Sequence, residues 1–172
     1  MKNFNNIFLV GPMGAGKTTI GRQLAKKLKL EFFDSDEEIE RRTQASIPLI
    51  FEIEGEQGFR QRESDLIEEL TKHSDIVLAT GGGAILSEEN RKRISERGWV
   101  VYLKTRVRQI LRRTARDAKR PLLNTDNKKQ KIEDLLSERG PYYEEVADLI
   151  VETGGRPVQQ IVNEICRNRK QK

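Results

Sequence analysis

Short apolar runs alternate with longer stretches of helical periodicity along this 172-residue chain. The short runs predict buried strands, at Phe4–Val10, Glu31–Asp34, Ile76–Ala79, Trp99–Leu103 and Leu149–Val151. The stretches between them predict helices, at Lys17–Leu30, Ser35–Arg42, Ile47–Glu54, Gln57–Lys72, Glu88–Arg97, Arg106–Arg113, Lys131–Leu136, Tyr142–Ala147 and Val158–Arg167. Strands that alternate with helices are typical of an α/β fold, in which a parallel sheet lies between layers of helices.

Two polar stretches refine this pattern. Ser35 and Asp36 follow the second strand, and we expect one of them to cap the helix that runs to about Arg42. The stretch Thr114–Lys129 has few apolar residues, and loops of that length in compact domains are usually functional or disordered. Its arginines predict a mobile basic lid that covers phosphates, at about residues 113–129.

The composition predicts one domain that spans residues 1–172. The chain is 35% hydrophobic and 34% charged, and its length suits one sizeable core. No apolar run approaches the ~20 residues that cross a membrane, and the single cysteine, Cys166, cannot form an internal disulfide. We therefore expect a cytoplasmic protein with no membrane partner. Since nothing suggests an obligate interface, we also expect a monomer.

The net charge of +5 is concentrated in one segment. Lysine and arginine crowd the stretch Lys104–Lys131, which could bind a nucleic-acid backbone, a small polyanion or only water. Aromatic residues interleaved with these cations would favour RNA, and the stretch contains none. We therefore expect no nucleic-acid partner, and the next motif favours a nucleotide phosphate.

A glycine-rich loop joins the first strand to the first helix. The segment Gly11-Pro12-Met13-Gly14-Ala15-Gly16-Lys17-Thr18 matches the phosphate-loop pattern G-x-x-x-x-G-K-[ST]. Glycines let backbone N–H groups converge on phosphate oxygens, and the following helix presents its N-terminus to the anion. In such loops the lysine reaches the β- and γ-phosphates, and the hydroxyl offers an oxygen to Mg²⁺. The loop predicts nucleotide binding without specifying a reaction.

Other classes of P-loop protein carry motifs that this sequence lacks. Asn127-Lys128 is followed by Lys129-Gln130, so the guanine motif N-K-x-D is missing, and no aspartate has a glycine three residues on. The strand Ile76–Ala79 ends in Thr80-Gly81 and not in the aspartate expected of a motor ATPase. A compact P-loop domain with a basic lid instead indicates phosphoryl transfer onto a small acceptor.

Five further motifs follow the phosphate loop: Asp34-Ser35-Asp36, Gly58-Phe59-Arg60, Thr80-Gly81-Gly82-Gly83, Arg120-Pro121-Leu122-Leu123 and Arg139-x-Pro141-x-Tyr143. In this order and spacing the chain resembles shikimate kinases of the bacterial type, from about Asn6 to Ile165. The resemblance implies the P-loop NTPase fold of the nucleoside monophosphate kinases, with a five-stranded parallel sheet in the order 2-3-1-4-5. It also implies that ATP, with Mg²⁺, phosphorylates the 3-hydroxyl of shikimate.

The resemblance further implies which residues bind the acceptor, in part on helices at about residues 35–65. Asp36 would bind its hydroxyls and is the candidate proton acceptor. Arg60 and Arg139 would bind its carboxylate, because guanidinium pairs with carboxylate in a planar, two-toothed fashion. The full set of expected acceptor contacts is Asp36, Arg60, Gly81, Gly82, Gly83 and Arg139.

The expected nucleotide site combines the phosphate loop with distant arginines. The loop residues are Gly14, Ala15, Gly16, Lys17, Thr18 and Thr19. The resemblance adds Arg113 and Arg120 from the lid and Arg156 near the adenine. We expect Thr18 and Asp34 to hold the metal, and Lys17, Asp36 and Arg120 to act in catalysis.

Two alternatives remain open from the residues. Another small-molecule kinase, of gluconate or nucleoside monophosphate type, shares the loop and lid but has no need for both Arg60 and Arg139 in their motifs. A nucleotide-dependent RNA-binding module is suggested only by the basic isoelectric point, about 9.4.

Overall fold

The computed structural model describes residues 5–115 and 127–171. Within them one parallel sheet contains the strands β1 (Ile7–Val10), β2 (Glu31–Asp34), β3 (Ile76–Ala79), β4 (Trp99–Lys104) and β5 (Leu149–Glu152). Their order across the sheet is β2-β3-β1-β4-β5, and all adjacent pairs are parallel. The predicted fold class and strand order are thus confirmed.

Helices cover both faces of this sheet. Those of the described residues are α1 (Lys17–Leu28), α2 (Ser35–Thr43), α3 (Ile47–Leu70), α4 (Glu88–Arg97), α5 (Val107–Thr114), α6 (Lys128–Val146) and α7 (Val158–Arg169), with a short 3₁₀ turn at Ala84–Leu86. Among the described residues, none of these helices is both long and apolar enough to span a bilayer.

The core lies on the two faces of the sheet because side chains alternate along each strand. Phe8 and Val10 of β1 point to the layer formed by α2, α3, α4 and α6. Ile7 and Leu9 point to the layer formed by α1 and α7. Since both faces are covered, β1 is buried along its whole length, as expected for a central parallel strand.

Three predicted boundaries concern the helices that carry candidate residues. Asp34, and not Ser35 or Asp36, caps α2, because β2 extends through Asp34 and its side chain accepts the N–H groups of Asp36 and Glu37. The predicted break in α3 is confirmed at Gly55, where φ is 73°. The predicted gap in α6 is wrong, because the helix continues through Pro141.

The continuity of α6 has a packing explanation. A proline inside a helix removes a hydrogen bond and costs about 3 kcal/mol. On either side of Pro141, however, α6 buries apolar side chains, namely Ile132 and Leu135 before it and Tyr143 and Val146 after it. Burial of such side chains at about 1.5–3 kcal/mol each outweighs the cost of the proline.

The predicted lid lies mostly outside the described residues. Residues 116–126, which include Arg120, are not among them. Its first residues belong to the end of α5, and Lys128 and Lys129 begin α6. These two helices pack together through a small cluster that includes Met13 of the phosphate loop, Ile110 and Ile132. Helices α5 and α6 therefore both pack beside the phosphate loop.

The close contact between Gly98, which follows α4, and Phe8 of β1 leads to a prediction about stability. A β-carbon at Gly98 would lie 2.5 Å from Cε2 of the buried Phe8 ring. We expect Gly98→Ala to lower the free energy of unfolding by about 1–3 kcal/mol, as overpacking does in other cores, measured by urea denaturation.

A double-mutant cycle isolates the cause of this loss. In a Phe8→Leu background the smaller side chain leaves room for the added methyl group, so Gly98→Ala should cost much less. An equal cost in both backgrounds would show that the Phe8 ring is not the obstacle.

Candidate functional site

The phosphate loop lies at the carboxyl end of β1. Helix α1 begins at Lys17, its N-cap Gly16 has a φ of 89°, and its first turn contains no acidic residue. A helix N-terminus of this kind favours a bound anion. The Lys17 ammonium donates to the carbonyl oxygens of Gly11 and Pro12, at 2.7 and 2.8 Å. Lys17, which the motif assigns to the phosphates, therefore bridges two carbonyl groups of its own loop.

A cleft of about 380 Å³ opens above this loop. Its lining combines three segments, two arginines and two apolar residues of α7: residues 14–20, Asp34, Asp36, Thr80, Gly81, Gly82, Arg113, Arg156, Val158 and Ile161. The fold thus brings together every phosphate-loop residue predicted to bind nucleotide with both candidate aspartates and both described candidate arginines of the nucleotide site.

Thr18 and Asp34 meet at the floor of the cleft. The Thr18 hydroxyl donates to Oδ2 of Asp34 at 2.5 Å, while Oδ1 of Asp34 accepts the α2 cap bonds. Two oxygen ligands of this type suit Mg²⁺, which binds few protein groups and keeps several waters. Among the described residues no group of three or more His, Cys, Asp or Glu side chains could hold a metal.

The glycine turn after β3 forms the next wall of the site. The N–H of Gly81 donates to the Ser35 hydroxyl at 2.9 Å, which ties the turn to the start of α2. A β-carbon at Gly81 would lie 2.8 Å from Oδ1 of Asp36 and 2.6 Å from Oε2 of Glu63. Two carboxylates therefore approach the same glycine, one of them from the cleft and the other from α3.

Arg60 and Glu63 form an ion pair beneath this turn. Nη1 of Arg60 lies 2.8 Å from Oε1 of Glu63, and their side chains are 23% and 1% exposed. Burial raises the pKa of the Glu63 carboxyl, while the charge of Arg60 opposes that rise. The Arg60 guanidinium packs so closely against Gly83 that it would have to move to admit a β-carbon there. Glycine at this position lets the arginine approach the turn.

Sequence reasoning missed Glu63, although the pattern contained a signal. Glu63 lies on the buried face of α3, together with Phe59, Leu66, Ile67 and Leu70. A carboxylate at a core position of an amphipathic helix is rarely buried without a partner, and Arg60 lies one turn away, where side chains of a helix meet.

Arg139, the other arginine predicted to bind the acceptor, is buried. Only 3% of it is exposed, and its Nη1 lies near the Gly82 Cα, at 3.6 Å from where a β-carbon would stand. Arg60, Arg139 and Gly83 do not line the cleft of about 380 Å³. The two arginines flank the glycine turn that forms its wall, and Gly83 belongs to that turn.

The two described arginines of the nucleotide site are held by backbone oxygens. Arg113 donates to the carbonyl of Gly14 at 2.6 Å, which connects α5 to the phosphate loop. Arg156 donates to the carbonyl of Glu152 and forms an ion pair with Glu164. Both guanidinium groups therefore have partners that fix them at the edge of the cleft.

Comparisons with known proteins agree with this geometry. A family model described as shikimate kinase matches residues 13–170. A shikimate kinase of Nitrosococcus oceani is 58% identical over 99% of this chain and 90% of that protein, and one of Methylococcus capsulatus is 54% identical over 96% and 92%. A solved structure of the Acinetobacter baumannii shikimate kinase in complex with shikimate has 53% identity and a TM-score of 0.94, covering 97% of this chain and 93% of that one.

The buried ion pair of α3 generates a prediction about stability. Glu63→Ala should lower the free energy of unfolding by about 2–4 kcal/mol, because it removes the buried partner of the largely buried Arg60 and leaves only the exposed Glu56, at 3.4 Å. Urea denaturation measures the loss.

Glu54 provides the matched control on the same helix. It pairs with Arg62 at 2.6 Å, and these side chains are 33% and 45% exposed. Exposed pairs contribute little, so Glu54→Ala should leave the unfolding curve unchanged. Equal losses in the two variants would contradict the assignment of Glu63 to the core.

Proposed function

This chain belongs to the shikimate kinase family, and we propose that it transfers the γ-phosphoryl group of ATP to the 3-hydroxyl of shikimate, giving ADP and shikimate 3-phosphate. The observation that carries the proposal is the pair of arginines beside the glycine turn. Arg60 and Arg139 flank that turn, and Asp36 approaches it beside the phosphate-loop cleft. An acceptor with one carboxylate and several hydroxyls matches this set of groups.

The phosphate-loop side would bind ATP. The N–H groups of the loop and of the helix N-terminus would donate to the phosphate oxygens, and Lys17 would exchange its two carbonyl partners for phosphate oxygens. Arg113 and Arg156 line the same cleft and would contact the nucleotide. The family resemblance adds Arg120, which lies outside the described residues.

The oxygen pair of Thr18 and Asp34 fits Mg²⁺. Bound with the nucleotide, Mg²⁺ would neutralise charge on the phosphates. Thr18 and Asp34 would each present an oxygen toward the metal, and Asp34 keeps its other oxygen on the N-terminus of α2.

The acceptor side would orient shikimate against the γ-phosphate. Arg60 and Arg139 would hold its carboxylate, and Asp36 would accept a hydrogen bond from the attacking hydroxyl and then its proton. Because phosphoryl transfer needs little covalent chemistry from the protein, positioning and electrostatic stabilisation would supply most of the rate.

The proposed activity also sets the biological context. Its product would be a precursor of chorismate and the aromatic amino acids, as the family name implies. We propose that the protein acts in the cytoplasm as a monomer, since both substrates would bind within one chain.

A substrate panel tests the proposed function. ADP release would be measured with Mg²⁺-ATP and, in separate assays, shikimate, gluconate and a nucleoside monophosphate. We expect strong turnover with shikimate alone. The nucleoside monophosphate has no carboxylate for the two arginines, and gluconate carries its carboxylate and hydroxyls on a flexible open chain, which costs more entropy to order than a ring. Turnover with gluconate or the nucleotide would transfer the assignment to that kinase type, and no turnover with any would favour a nucleotide-binding module.

The arginine assignment gives a sharper prediction. Arg139→Lys keeps the charge but loses the planar pair of donors, so the KM for shikimate should rise roughly tenfold to a hundredfold while the KM for ATP stays unchanged. Arg62→Lys, on the exposed side of α3, is the control and should leave both constants unchanged. Equal losses for both substrates in Arg139→Lys would contradict a role in carboxylate binding.

A further inference from the structure

A tyrosine of α6 is hydrogen-bonded to the glycine turn. The Tyr143 hydroxyl donates to the carbonyl oxygen of Gly82 at 2.5 Å, and the side chain is almost completely buried. Tyr143 follows Arg139 by four residues on the same helix, so the two side chains lie on one face. One helix face therefore presents a cation and a hydroxyl donor to the same turn.

Gly82 is also packed against the phosphate loop. A β-carbon at Gly82 would stand 3.4 Å from the Met13 nitrogen, 3.6 Å from the Gly11 carbonyl oxygen and 3.6 Å from Nη1 of Arg139. Gly82 itself lines the nucleotide cleft. The turn thus separates the nucleotide site from the buried arginines, and its position determines the distance between them.

The hydrogen bond from Tyr143 fixes the orientation of a peptide plane. The Gly82 carbonyl and the Gly83 N–H belong to one planar unit and point in opposite directions. When the hydroxyl holds the carbonyl, it also directs the Gly83 N–H away from α6. Glycine has no side chain to restrict this peptide, so the restriction must come from a contact such as this one.

The tyrosine is rigid enough to serve as such an anchor. Its ring stacks on Tyr102 of β4, with centroids 5.1 Å apart and planes inclined by 30°. Burial raises the pKa of the Tyr143 hydroxyl, so the group stays protonated and remains a donor at neutral pH. The anchor therefore connects the glycine turn to the central sheet.

We propose that Tyr143 is a positioning residue for the acceptor: it holds the Gly82–Gly83 peptide between the phosphate loop and Arg139, so that the acceptor's carboxylate and reacting hydroxyl sit at a fixed distance from the nucleotide. Tyr143 does not touch the reacting atoms and acts through the turn. The inference rests on the proposed function above, because it assumes that the acceptor binds at this turn.

The test is the Tyr143→Phe variant, which keeps the buried ring and its stack on Tyr102 but removes the hydroxyl. A buried carbonyl that loses its donor is destabilised, so the turn should adopt other orientations. We expect the KM and the calorimetric Kd for shikimate to rise about tenfold, with the KM for ATP changed less than about twofold. The Tyr143→Phe assays would run well below the variant's thermal midpoint.

Tyr142→Phe is the matched control. It removes a hydroxyl from the neighbouring residue of the same helix, whose ring lies under the Arg91 guanidinium at 4.2 Å. Its kinetic constants should equal those of the unmodified protein.

The outcomes separate this inference from the proposed function. If the unmodified protein does not phosphorylate shikimate, the proposed function fails. If it does, and Tyr143→Phe has the same constants as Tyr142→Phe, the positioning role is overturned. An equal rise in both KM values, or a fall in kcat alone, would also overturn it, because neither is specific to acceptor placement.

Discussion

Parallel pairing of β2, β3 and β1 is the constraint on which the site depends. Leu9 and Asp34 are both paired with Ala79, so the three strands end at one level of the sheet. The phosphate loop, the start of α2 and the glycine turn leave the sheet from these adjacent ends. Open α/β sheets bind ligands at this edge, and here each of the three strand ends brings a different chemical group to it.

Charge is buried on the side of the glycine turn that faces α3 and α6. Arg139 and Glu63 are almost fully buried, and Arg60 is largely so. Charges removed from water interact strongly with one another and with a ligand, and their positions are fixed before any ligand arrives. The glycine turn makes this possible, since side chains at Gly81 or Gly83 would collide with the carboxylates or with Arg60.

The local features of this protein could be read from the sequence, and the non-local ones could not. Periodicity located the strands, the helices and the break at Gly55, because these depend on neighbouring residues. The convergence of Arg60 and Arg139 came only from family resemblance, since no periodic pattern relates residues so far apart. The cap of α2 was wrongly expected at Ser35 or Asp36, and not at Asp34, because the end of β2 is set by its pairing with β3. The gap in α6 was wrongly expected because the packing of that helix outweighs the cost of Pro141.

The hydrogen bonds of the Lys17 ammonium bear on the free energy of phosphate binding. Its two bonds to the Gly11 and Pro12 carbonyls exist before any phosphate is present. In the proposed function, Lys17 would exchange these carbonyl partners for phosphate oxygens. The net free energy from this lysine would then be a difference between two bonded states.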